Sequence, residues 1–143
     1  MTKDIHPIVG AWKLKSFTEL DVGTNATSHP MGRNARATVI YTSSGHVATI
    51  FAAEGRNPAT TIPIAAIEAA HLFQTMVAFA GRYETKGNEL IYYPEITWNE
   101  EWNGTTQVRH FEIKDDVLTV RSLPAKNILG DAMPIMSMTW ERA

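Results

Sequence analysis

The chain has 143 residues, a formal net charge of -2, charged residues at 20% and no cysteine. That length supplies one domain with a real core and too little chain for two, so residues 1–143 are read as a single domain. The composition excludes several classes: no basic run marks a nucleic-acid binder, no cysteine offers a disulfide, a thiolate nucleophile or a zinc-thiolate site, and no apolar run approaches the roughly 20 residues of a membrane helix or forms a signal peptide. A cytoplasmic protein is expected.

In chain order, GAWKLKSFTELD (10–21) alternates Trp12 and Leu14 with Lys13 and Lys15, the pattern of a half-buried strand. ATVIYT (37–42) and HVATIF (46–51), separated by Ser-Ser-Gly, read as a hairpin. The segment TTIPIAAIEAAHLFQTM (60–76) breaks the alternation. Its alanines and leucine favour helix, Thr60 or Thr61 before Pro63 is a start signal, and Ile64, Ile67 and His71 fall on one side, so a helix over 62–76 is expected against the sheet. VAFAGRYET (77–85) with ELIYYPEI (89–96), and TQVRHFEI (106–113) with VLTVRSL (117–123), make two further hairpins. PIMSMTWER (134–142) ends the chain with Met136, Met138 and Trp140 on one face.

About eight strands in consecutive hairpins leave two exposed edges in an open sheet, and closing them removes both. The expected fold is all-β: an antiparallel up-and-down barrel of about eight strands with one short helix near its mouth, and an interior able to hold one small ligand.

The chemical motifs are mostly negative. No dinucleotide fingerprint, P-loop or nucleophile elbow is present, and no two histidines have metal-ligand spacing, so neither a cofactor nor a metal is expected. Strand parity then singles out Arg109. It shares a face with Phe111 and Ile113, which places it inside, where a guanidinium requires a counter-charge. Glu95 is the first candidate and Glu19 the second. Tyr41 and Tyr83 share faces with Val39 and Phe79 and are expected at the cavity. Tyr92 and Tyr93 point oppositely, so one of them lines it, and Tyr93 is taken as the candidate. Trp98 and Trp102 follow that strand as an apolar lip. Arg109, Glu95, Tyr41 and His71 are thus the candidate catalytic groups, and Tyr83, Phe79, Tyr93, Phe111, Trp98, Trp102 and Met138 the candidate ligand contacts.

IVGAWKLKSF resembles the Gly-x-Trp opening strand of lipocalins. With VIYTSSGHVATIF, FAGRYE, WNGTTQVRHFEIKDDVLTVRS and the terminal TWER, the chain resembles the small intracellular lipocalin-like domain family of bacteria and fungi. The resemblance implies a calyx holding a small, mainly apolar molecule, and a late arginine, Arg142, packed across Trp12. Some relatives in natural-product pathways are thought to act as cofactor-free cyclases or isomerases. Two functions are therefore carried forward: a cofactor-independent isomerase or cyclase acting on a small hydrophobic metabolite of secondary metabolism, and a non-catalytic carrier or sensor. The partners expected are that small molecule and, as an option, a second copy in a homodimer, with no nucleic acid and no membrane.

Overall fold

The computed structural model describes residues 4–126 and 128–143. Nine strands run in chain order as β1 (Gly10–Leu20), β2 (Thr27–Ser28), β3 (Arg36–Tyr41), β4 (His46–Ala52), β5 (Met76–Lys86), β6 (Glu89–Thr97), β7 (Gln107–Lys114), β8 (Val117–Ser122) and β9 (Ile135–Arg142). One helix, α1 (Ala66–Gln74), precedes β5, and a 3-10 turn at Glu100–Trp102 follows β6. Each long strand pairs antiparallel with the next, and β9 returns to β1, so eight strands close on themselves while the two-residue β2 lies beside the far end of β1. The all-β antiparallel barrel with one helix is therefore as expected. The hairpin bounds fall within a residue or two of those expected, because alternation and turn residues determine them locally.

The inward positions are Trp12 and Leu14 on β1, Ala37, Val39 and Tyr41 on β3, Val47, Thr49 and Phe51 on β4, and Leu118, Val120 and Trp140 on β8 and β9, all of them buried. A bulge after Leu14 restores Phe17 to this inner face. A second bulge lies between Ala80 and Gly81, where Glu95 on β6 has no cross-strand partner. Gly81 permits it, since a Cβ there would collide with the Tyr93 carbonyl.

The two ends of the barrel differ. The short turns of β3–β4, β5–β6 and β7–β8 gather at one end, together with the N-terminal residues, where Ile8 is wholly buried. The Arg142 guanidinium lies 3.8 Å from the Trp12 ring centroid and donates from Nη1 to the Val9 carbonyl at 3.0 Å and from Nη2 to the Pro7 carbonyl at 2.6 Å. This is the contact that the resemblance implied. The Trp12 indole N–H donates to the Ile8 carbonyl at 2.8 Å, so one tryptophan ties the N-terminal residues to the barrel wall. The longer connections, including α1 and the 3-10 turn, lie at the other end.

The helix departs from expectation in length and packing. It begins after Ala65, which is extended at φ -65°, ψ 143° and supplies no capping side chain, and it ends at Gln74. None of its residues is buried, and Ile67 is 82% exposed. It is tied to the rest of the fold by the Phe73 ring, 6.2 Å from that of Trp98, by the Trp98 indole N–H donating to the Phe73 carbonyl at 3.2 Å, and by Arg56, whose Nη1 donates to the Leu72 carbonyl at 2.8 Å and to the Thr75 hydroxyl at 2.7 Å. Alanines on the expected contact face offer little area to bury, so the segment does not press onto the sheet.

Candidate functional site

Inside the barrel, toward the end with the long connections, is a cavity of about 100 Å³. Phe17, Met31, Val39, Phe51 and Val77 form one part of its wall; Phe79, Trp102, Val120, Met136, Met138 and Trp140 form the rest. Besides the indoles of Trp102 and Trp140, the polar side chains in its described lining are those of Thr49, Tyr92, Gln107 and Arg109. The Thr49 hydroxyl is occupied, donating to the Thr38 carbonyl at 2.9 Å.

Arg109 is placed inward on β7 as its parity requires, half-buried beside Tyr92. Its Nη1 donates to the Val108 carbonyl at 3.0 Å and its Nη2 to the Gln107 side-chain oxygen at 3.1 Å. Burial lowers its pKa from the ordinary arginine value, partly opposed by Tyr92. The guanidinium remains charged at neutral pH, since its ordinary value lies so far above it. Tyr92, one of the buried groups, is pushed up to about 12 by burial, with its bond to Tyr41 and the nearby Arg109 pulling the other way. Behind it the Tyr41 hydroxyl lies 2.6 Å from the Tyr92 hydroxyl, and burial, with Tyr92 next, raises the Tyr41 pKa well above its usual value. Both phenols are neutral at pH 7.

The cavity thus gathers Arg109, Phe79, Trp102 and Met138 from the expected set, with Tyr41 one hydrogen bond behind its wall. Other expectations are corrected. Glu95 is on the outer surface as the unpaired residue of the β6 bulge, its Oε1 3.1 Å from Arg82 Nε, so it is no partner of Arg109. Among the described residues Arg109 makes no ion pair at all, with Glu19 or any other carboxylate. His71 is exposed on α1, away from the cavity lining. Tyr83 points inward at the tight-turn end, where it packs edge-on against Tyr41 and donates its hydroxyl to the Thr42 carbonyl at 2.7 Å. Phe111 packs at 5.8 Å from the His6 ring instead of lining the cavity. Tyr93 faces outward, hydrogen-bonded to Glu84 and beneath Arg82. Trp98 stands outside as well, 4.9 Å from Trp102, with its indole N–H donating to the Phe73 carbonyl at 3.2 Å.

The inward residue of the adjacent tyrosines is therefore Tyr92, paired across the hairpin with Tyr83. The two-residue turn at Gly87-Asn88 carried that signal: it makes Tyr83 and Tyr92 cross-strand neighbours, so placing Tyr83 inward commits Tyr92 too. Gln107, Thr49 and Phe51 are further lining residues that motif reading passed over, although strand alternation already marked them as inward, whereas Phe17 reaches the wall through the bulge after Leu14. One more feature of the wall has no sequence signal: the Trp140 indole N–H is buried without a hydrogen-bond partner among the described residues.

A closed antiparallel barrel around an apolar cavity, with a tryptophan near the first strand capped by a late arginine, defines the lipocalin-like class of small-molecule-binding calyces. The chain belongs to the lipocalin-like domain family, which it matches over residues 9–143. A comparison with curated proteins returned no match. Among the described residues no helix is long and apolar enough to cross a membrane, and no group of His, Cys, Asp or Glu is arranged to hold a metal ion.

Proposed function

We propose that the protein binds a small hydrophobic molecule in the barrel cavity. The observation that carries this reading is the wall itself: eleven of the fifteen lining side chains are hydrocarbon, thioether or aromatic groups without a hydroxyl, amide or formal charge. Calorimetric titration with benzyl alcohol, 3-phenyl-1-propanol and octan-1-ol tests it. Saturable 1:1 binding of at least one is expected, with loss on filling the cavity by Val39→Phe and circular dichroism confirming that the variant is folded. Flat titrations with all three alcohols and with the matched acids benzoate, 3-phenylpropanoate and octanoate would sink the reading.

The cavity also supports a catalytic reading, and its chemistry favours a cyclase over an isomerase that abstracts a proton. No carboxylate or imidazole lines the cavity among the described residues, and neutral Tyr92 is a poor base. What the site offers is a folded apolar enclosure with Arg109 and the Tyr92 hydroxyl to stabilise charge growing on a carbonyl oxygen. Ring closure of citronellal to isopulegol, an isomerisation needing no cofactor, is a direct probe by gas chromatography. Closure above the buffer rate, reduced about 10²–10³-fold by Arg109→Met, is expected of a cyclase; wild-type closure at the buffer rate leaves the protein a carrier or sensor.

A further inference from the structure

We propose that the ligand is anionic, a compact apolar molecule with one carboxylate, and that Arg109 receives the carboxylate inside the barrel. The inference rests on the cavity being a binding site and goes on to name what occupies its polar end. A half-buried guanidinium carries a desolvation cost that an opposite charge offsets. The protein supplies none: Glu95 is turned outward to Arg82, and Arg109 has no ion pair among the described residues. Two of its five N–H donors are taken, one by the Val108 carbonyl and one by Gln107, and the other three have no described partner.

The other polar groups of the wall supply no counter-charge to Arg109. Gln107 is committed on both sides, its oxygen accepting from Arg109 and its Nε2 donating to Thr105 at 3.3 Å. Thr49 has given its proton to a backbone carbonyl. The one buried side-chain atom left without a partner, Trp140 Nε1, is also a donor. Tyr92 shares a single hydrogen bond with Tyr41, so when Tyr41 donates to it, the Tyr92 proton is free for the ligand. A neutral alcohol or amine leaves the guanidinium charge uncompensated, whereas a carboxylate brings the counter-charge and matches the guanidinium's fork geometry.

The test compares matched probes by calorimetry at pH 7: benzoate with benzyl alcohol, 3-phenylpropanoate with 3-phenyl-1-propanol, and octanoate with octan-1-ol. In at least one pair the acid is expected to bind the wild-type protein about tenfold or more tightly than the alcohol. Arg109→Met should abolish that preference, and Arg109→Lys should restore part of it. If the alcohols bind and no acid binds better, the anionic ligand is refuted and the apolar binding site stands. If neither acids nor alcohols bind, both readings fall. The wild-type comparison is decisive even if a variant fails to fold.

Discussion

Arg142 illustrates how much one side chain holds when its geometry is fixed on several sides. Its guanidinium covers the buried Trp12 ring and its two terminal nitrogens bind the carbonyls of Val9 and Pro7, while Asp116 Oδ1 stands 3.7 Å from Nε. The Asp116 carboxylate is largely exposed and adds little. The ring contact and the two carbonyl bonds matter more: about 0.5–2 kcal/mol for the first, and about 1.5 kcal/mol or more for a hydrogen bond from a charged donor. Arg142→Ala is therefore expected to cost about 3.5–5 kcal/mol in urea unfolding. Arg142→Lys should recover less than half, because an ammonium cannot span both carbonyls in the plane of the ring. An Arg142→Lys protein as stable as the parent would show that charge alone is sufficient there. Gly10 belongs to the same arrangement, since its φ of +130° disfavours a side chain and a Cβ would lie 3.0 Å from Arg142 Nη1.

At the level of elements, strands and helix differ in what supports them, and the difference explains which were legible. The eight long strands and the short turns between them follow from period-two alternation, with its inner face buried by every neighbour. The helix lacks a buried face, so its sequence pattern carried its type but neither its length nor its packing. The same reasoning applies at the site. Parity put Arg109 inside correctly, and once Tyr92 is inward the same alternation turns Tyr93 and Glu95 outward; the bulge at Ala80/Gly81 acts just beyond them, exposing Ile96 and burying Thr97. That bulge depends on a backbone contact between two strands, which no pattern within either strand encodes. An exposed helix held by Arg56, one aromatic contact and the Trp98 bond to the Phe73 carbonyl should open locally without the barrel. Amide exchange in residues 66–74 is expected to be at least 100-fold faster than in β3, β4 and β8, and faster again in Arg56→Ala, with the strands unchanged. Protection of α1 equal to that of the strands would contradict this.

For the molecule as a whole, closure and recognition are assigned to opposite ends. The first and last long strands meet along most of their length, from Trp12 opposite Arg142 to Leu20 opposite Ile135, and the tight turns sit with the Arg142 contact. The cavity is built from the other end, with Trp102 and Gln107 supplied by the β6–β7 connection and the start of β7, and Met136 by the start of β9. Such a division makes the chain a natural engineering scaffold. Phe17, Val77, Trp102, Gln107 and Met136 can be randomised as a library to select receptors for new compounds, while the stabilising end, some distance away in the fold, is inherited unaltered by every member.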